Sequence, residues 1–586
     1  MSQFALLGQR RFGPFFLTQA FGAFNDNAFR YALIGMATFR FGMSSPELGG
    51  YNNLALALFI LPFFLFSASA GQLAERMEKA RLIRIVKAME VAVMILAAVA
   101  FQRASPTLLL VALFLMGLQS TLFGPIKYSI LPQVLRPGEL TGGNGLVESG
   151  TSLAILLGSM AGNALMAVPH YGPQLTSAAV IGVALAGYAA SRAIPSAPAT
   201  APDLRFEWNP LRETGKVLRD SLRERTVFHA ILGISWFWFF GAVLTVQLPL
   251  YTRDFLGGDA SVLTLALALF SIGIGAGSLL CERLSGGRIE PGLVPLGAMG
   301  MTLTGVDLYF TRPRAMPVQG QDAWNMLSAS GGVHVAVDLV LIGLFAGFYI
   351  VPLFAMVQQR APRRHLSRTI AATNIINALF MVLAAAFGSA ALWAGLTVPQ
   401  LFLAVALLNA VVVAWMMFRV PEFALRFIGW LLLHLRYRVR CSGLRALSAD
   451  GPVLLLAPCL DTTRMLLVMT CLPRPVRFVL DAGLGLRGFC ASLMVRAGAI
   501  VRDDLHHRVD RESTIARARD GGEVLCLVCT CGELTGSEGC AGSEQVREYA
   551  MRHGLPLYVL QLEEPLRGRY RLRARLELTL CQPRSA

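Results

Sequence analysis

The sequence predicts an all-α membrane protein of twelve spanning helices, followed by a small α/β domain. Three observations carry this expectation. Of 586 residues, 55% are hydrophobic and only 15% charged, with a mean hydropathy of +0.56; a soluble chain carries about a quarter charged. Apolar runs close to the roughly 20 residues that cross a bilayer's hydrocarbon recur along the chain up to residue 418. Cysteine usage then breaks: of ten cysteines, only Cys281 precedes residue 440. That break marks a second domain of different character, and its arginine content points to a reducing compartment where disulfides are not expected.

The first six runs are 12–39, 51–70, 82–101, 108–131, 145–167 and 175–194, and the second six are 228–251, 262–280, 293–310, 333–356, 369–392 and 398–418. The expected organisation is therefore an N-terminal half, 1–194, a polar linker, 195–226, and a C-terminal half, 227–420. An interfacial amphipathic helix, 421–440, and a tail domain, 441–586, complete it. The first run is too long for a signal peptide's apolar region, and no small-residue cleavage site follows it. Basic residues crowd the loops that leave even-numbered runs (Arg76, Lys79, Arg81, Arg84, Arg136, the linker arginines, Arg283, Arg288, Arg360, Arg363, Arg364, Arg368). The opposite loops carry few: Arg40, Arg103, Arg253, Arg312 and Arg314. By the positive-inside rule both termini are expected in the cytoplasm. The net charge of +16 is then explained by loops facing anionic lipid, with no nucleic-acid partner expected.

Within the first run stands Phe24-Asn25-Asp26-Asn27-Ala28-Phe29-Arg30. Amides, a carboxylate and a guanidinium are costly in lipid, so they are expected to face a bundle interior or a water-filled path. The bland alternative is a helix cap at the membrane surface. Lys127, beside a Gly-Pro break, and Glu148, in a run that opens at Asn144, are exposed to the same argument. Lys127 either snorkels or reaches the interior, and Asp26, Lys127 and Glu148 are expected to form one network, a gate or a headgroup site. In the second half, Gln247 beside the aromatic cluster 236–240 either lines an acyl-chain path or packs between helices. Asn374 and Asn377, one turn apart, share a face and are expected to hydrogen-bond across helices. Asp307 and Asp338 lie near run ends and are assigned no role.

Two runs of six with a basic central linker is the layout of the major facilitator fold, whose halves rock about a midplane site. The loop Gly71-Gln72-Leu73-Ala74-Glu75-Arg76-Met77-Glu78-Lys79-Ala80-Arg81 resembles that family's signature after its second helix. Glu75 stands for the usual aspartate and the second glycine is missing. The resemblance implies a conformational latch built from Gly71, Glu75, Arg76 and Arg81; the plain alternative is a generic basic turn. Four stretches together, AFNDNAFRYAL, GPIKYSILPQ, NGLVESGTSLAILLGSMAG and GFYIVPLFAMVQQR, resemble the bacterial lysophospholipid transporter family. The resemblance implies inward movement of a lysophospholipid across the inner membrane, with membrane lipid as surroundings and no cofactor. Asp26, Lys127 and Glu148 match its polar positions, whereas Asn25 and Arg30 depart from its pattern. A competing expectation is a facilitator-fold exporter of other amphiphiles.

In the tail, 453–456, 476–480, 524–528 and 557–560 read as strands among helical stretches. The tail resembles the glycerolipid acyltransferase domain, whose chemistry needs a His-x4-Asp pair, the histidine as base toward an acceptor hydroxyl. That pattern falls on Cys459 and Arg464, and of the phosphate-binding motif only Gly532 survives. The domain is therefore expected to be catalytically inactive, with an acyltransferase or an acyl carrier protein as the partners the resemblance suggests. A bifunctional transporter and acyltransferase is the competing expectation. His506 and His507 read as loop histidines. Cys526, Cys529, Cys531 and Cys540 have a spacing that suits zinc or an iron–sulfur cluster, but cysteines replacing small buried residues explain it better.

Overall fold

The computed structural model describes residues 3–41, 45–223, 225–286, 289–311, 320–419, 421–435, 437–442, 453–458, 462–472, 476–480, 500–501, 524–529, 556–567 and 572–580. The first half holds α1 (Gly13–Arg40), α2 (Ser45–Arg76), α3 (Lys79–Gln102), α4 (Pro106–Ser129), α5 (Leu140–Met166) and α6 (Gly172–Arg192). The second holds α7 (Arg225–Leu250), α8 (Ala260–Ser285), α9 (Leu293–Phe310), α10 (Gly332–Arg360), α11 (Leu366–Trp393) and α12 (Val398–Arg419). Among the described residues, nine helices are long and apolar enough to cross a membrane. Three further long helices, α1, α3 and α5, carry the polar residues that interrupt their apolar runs: Asn25, Asp26, Asn27 and Arg30; Lys87 and Glu90; Asn144 and Glu148.

Close helix crossings rest on glycine, because lipid provides no hydrophobic drive and contact must come from backbone approach. The second and fourth helices of each half show it. A Cβ on Gly117 of α4 would lie 2.5 Å from the Phe59 carbonyl oxygen of α2, and one on Gly277 of α8 would lie 2.0 Å from that of Leu344 in α10. Gly277→Ala must therefore push α8 from α10. It is expected to cost about 1–3 kcal/mol, the usual range for overpacking, measurable as a lower midpoint of heat-induced aggregation in detergent; an unchanged midpoint would refute the crossing.

The linker is strapped to the end of α2. The Glu207 backbone N–H donates to Gln72 Oε1 (2.8 Å), and Gln72 Nε2 donates back to the Glu207 carbonyl (3.2 Å). A linker helix, Pro210–Arg223, follows, with Glu213 and Val217 buried and Leu211, Arg212, Lys216 and Arg219 exposed. Near the N-terminus, Arg11 donates to Glu139 at 2.7 Å and holds that carboxyl below the usual range.

The chain divides into two compact units, 1–289 with 296–413, and 290–295 with 414–586. In the second, α13 (Pro421–Leu435) buries Phe423, Ala424, Leu425 and Arg426 and packs on α14 (Thr462–Cys471), where Gly429 meets Thr470. The expected amphipathic helix through residue 440 is corrected: it ends at Leu435, and β1 (Tyr437–Ser442) begins two residues on. Tyr437-Arg438-Val439-Arg440-Cys441 alternates apolar and basic with period two, a strand pattern. The other strands are β2 (Val453–Pro458), β3 (Val476–Leu480), β4 (Ile500–Val501), β5 (Val524–Cys529), β6 (Leu557–Arg567) and β7 (Leu572–Leu580), in the order β1-β7-β6-β2-β5-β3-β4. Pairing is parallel except between β6 and β7. Strands thus occupy all four tail stretches read as strands. The continuous apolar runs of β2 and β5 suit a parallel interior, and Cys526 is buried there, opposite Leu455 and Phe478. Arg464 lies in the first turn of α14. Cys459, His506, His507, Cys531, Gly532 and Cys540 lie outside the described residues, as does the side chain of Cys529.

Candidate functional site

The helices bring the polar residues into three clusters. The first joins α1, α3 and α4 inside the N-terminal half. Lys87 and Glu90, one turn apart on α3, form an ion pair at 2.6 Å with both side chains essentially sealed from solvent, at 1% and 0% exposed. The Glu90 carboxylate also accepts from Asn25 Nδ2 (3.1 Å) and Gln119 Nε2 (3.2 Å). Ser120, next on α4, donates to Asp26 Oδ2 at 2.6 Å. A carboxylate at this depth needs such a full set of donors and a countercharge. Gly22 makes the room: a Cβ there would lie 2.5 Å from Lys87 Nζ. Asn27 bonds back to the Ala23 carbonyl, and the Arg30 guanidinium lies 6.0 Å above the Phe59 ring of α2. Asp26, Asn27 and Arg30 stay partly open where Asn25, Lys87 and Glu90 are closed.

The second cluster lies about 10 Å further along α4, seven residues at 1.5 Å each. Lys127 Nζ donates to Thr151 Oγ1 at 2.8 Å, which in turn sits 2.9 Å from Gln19 Oε1. The Tyr128 hydroxyl donates to Glu148, and its ring stacks on Phe354 of α10 at 4.0 Å and 6°. The expectation of one Asp26–Lys127–Glu148 network is therefore corrected. Asp26 belongs with Ser120 and the α3 ion pair; Lys127 and Glu148 belong to a separate layer that reaches the other half.

The third cluster closes the two halves against each other at the basic end. Arg368 of α11 gives its backbone N–H (3.1 Å) and its Nε (2.8 Å) to the fully buried Glu75 of α2. A Cβ on Gly71 would lie 2.8 Å from that of Ala371, so only glycine lets α2 and α11 meet here. Glu213 of the linker helix approaches Arg368 Nη1 at 3.8 Å; burial pushes its carboxyl above the usual range, against the pull of Lys216 and Arg368. The expected latch is thereby corrected in its partners: Arg76 and Arg81 are exposed, the paired cation comes from 293 residues away, and the buried Lys79 of α3 adds a weaker attraction. Asn144 and Gln358 exchange two hydrogen bonds, at 2.7 and 3.0 Å, between α5 and α10, and Ser149 donates to the Gly275 carbonyl.

In the second half the amide of Asn377 lies 2.7 Å from Ser235 Oγ, and turning its nitrogen toward that hydroxyl lets its oxygen accept from Trp238 Nε1 at 3.3 Å. Asn374 faces Gly124 of α4 with a buried Nδ2 that has no partner. Gln247 is half-buried with Nε2 beside Gly388. Trp236 stacks on Phe239 at 4.9 Å and donates to Asn409, and Phe237 and Phe240 are buried as well. These aromatics therefore pack between helices.

Sequence reading missed Lys87, Glu90, Gln119, Ser120, Gln358 and the role of Arg368. The signal for the first pair was available: opposite charges at i,i+3 in the stretch 82–101, whose only other charged residue is Arg84.

Residues 15–319, just over half of the chain, match the family model of the Major Facilitator Superfamily. The chain belongs to that superfamily and is a membrane transporter. It is 28% identical over 353 residues to the lysophospholipid transporter LplT of Cronobacter sakazakii, covering 59% of this chain and 80% of that protein. With LplT of Enterobacter sp. strain 638 it shares 29% over 388 residues, 65% of this chain and 88% of that one. Among solved structures, the human organic anion transporter MFSD10 superposes with a TM-score of 0.55 at 14% identity, covering 70% of this chain and 99% of its own. The E. coli fucose:proton symporter FucP gives 0.52 at 16%, with the same coverage. These two show the fold alone.

Proposed function

We propose that this transporter moves lysophospholipids from the outer to the inner leaflet of the bacterial inner membrane by alternating access. The observation that carries the reading is the pairing of two facts. The chain aligns along most of the length of relatives named for lysophospholipid transport, and α1 carries the half-buried Asp26, Asn27 and Arg30 beside a sealed ion pair, with Asp26 Oδ1 closed to solvent and without a hydrogen-bond partner among the described residues. A substrate with one acyl chain and a zwitterionic headgroup asks for such groups: Arg30 for the phosphate, Asp26 and Asn27 for the amine end. The basic end, closed by Glu75 and Arg368, is the cytoplasmic gate in this reading, and both termini are cytoplasmic. The Lys127–Glu148 layer stands between headgroup and gate. In the same reading the tail does no acyl transfer, since a cysteine at 459 and an arginine at 464 cannot deprotonate an unactivated alcohol, and it serves regulation or docking.

Uptake of labelled lysophosphatidylethanolamine by spheroplasts tests it. Wild type should draw the lipid inward, and Asp26→Asn should lower uptake at least tenfold. Equal activity removes Asp26 from the mechanism. No protein-dependent uptake at all, with competing amphiphiles transported instead, overturns the substrate.

A further inference from the structure

We propose that Asp307, His334 and Asp338 form a binding site for a divalent transition-metal ion, at the end of the C-terminal half opposite the basic loops. This site is separate from the three clusters above. His334 and Asp338 are four residues apart on α10 and so share a face; Asp307 is on α9, which packs beside it. His334 Nε2 lies 2.9 Å from Asp307 Oδ2 and 3.9 Å from Asp338 Oδ2, and the three ligand atoms all lie within 4.8 Å of one another. Donors bound at about 2.0–2.2 Å around one tetrahedral ion stand roughly 3.5 Å apart. One imidazole nitrogen with two carboxylate oxygens suits zinc, and the neighbouring ions of the same charge, better than magnesium or calcium.

Burial supports a ligand. Asp338 is only 2% exposed, while His334 and Asp307 are about half exposed. A sealed carboxylate beside a second carboxylate is costly without a positive charge between them. Its remaining described partner is the Thr311 hydroxyl, at a long 3.4 Å. Tyr251 is completely buried, and among the described residues its hydroxyl has no hydrogen-bond partner. The cluster thus sets a buried carboxylate behind two exposed donors, through which an ion can enter. A bound ion would clip α9 to α10.

The rival is a plain imidazolium ion pair, which takes up no metal. Full-length protein, purified in detergent and stripped with chelator, is titrated with Zn²⁺ and, separately, with Co²⁺. Wild type should retain one more equivalent of zinc after desalting than His334→Gln. Its cobalt complex should show visible ligand-field bands from this site that His334→Gln lacks, with no thiolate charge-transfer intensity lost alongside them. Asp307→Asn should weaken zinc at least tenfold, and serves if His334→Gln folds poorly. Cys529→Ser with Cys531→Ser should keep the extra equivalent, which separates the site from the tail cysteines. Equal stoichiometry and affinity in wild type and both site variants, or loss of the ion in the cysteine variant alone, overturns the proposal.

Discussion

Replacing Arg368 by alanine should open the basic end and stop turnover. The change leaves Glu75 buried with only the weaker attraction of Lys79 on α3, and removing one partner of a buried pair typically costs about 3–5 kcal/mol. In the proposed alternating-access cycle only the state closed at this end makes the contact, so nearly the whole cost should fall on that state and shift the population between states by about two to three orders of magnitude, at 1.4 kcal/mol per tenfold. The readout is labelling of Ser367→Cys by a maleimide, mapped by mass spectrometry so that native cysteines do not interfere. Ser367 is buried against Ser129 in the closed arrangement, so Arg368→Ala should raise its labelling rate at least tenfold. Glu75→Gln with Arg368→Met, which removes both charges, should restore much of the protection without restoring a responsive gate. Unchanged labelling in the single variant would mean that the ion pair does not hold the halves together.

Lys87→Met should be the most destabilising substitution in the N-terminal half. It takes the countercharge from a carboxylate that is 0% exposed and leaves it with two amide donors. The expected cost is again about 3–5 kcal/mol, whereas replacing both partners by apolar residues is often close to neutral. Lys87→Met should therefore lower the heat-denaturation midpoint in detergent by several degrees, and Lys87→Met with Glu90→Met should recover most of it. A single variant as stable as wild type would show that Asn25, Gln119 and Ser120 organise this layer unaided. Because Ser120 ties Asp26 to the same layer, the double variant should still transport poorly even when it folds well.

Much of this was readable in advance, and particular residues show why. The run 293–310 coincides with α9, and the run 398–418 falls one residue short of α12, because a bilayer demands a minimum apolar length and the sequence meets it. Asn25, Asp26, Lys127 and Glu148 stood out in the sequence because polar groups are rare in such apolar runs, but their division into two separate layers was not legible. Lys87 and Glu90 did not stand out, since the basic residues just before them made the start of α3 resemble loop. In the tail, continuous apolar runs announced β2 and β5, and a largely apolar stretch broken by Arg477 announced β3, whereas β1 was hidden by arginines that a helical reading also accommodates.

The amino-acid sequence alone determined that the chain carries apolar runs long enough to cross a membrane, nine of them confirmed as candidate spans among the described residues, which runs carry polar groups, and that a part of different character follows. Those are sums along one dimension, and transfer free energy adds residue by residue. Only the tertiary structure decided the pairings: Glu75 with Arg368 and not with Arg76 or Arg81, Asp26 with Ser120 and not with Lys127, Asn144 with Gln358. The reason is that pairing depends on how each helix is rotated and where it crosses its neighbour. Here glycines such as Gly71 and Gly277 let facing helices come closer than any side chain would allow, at separations in sequence that no local pattern spans.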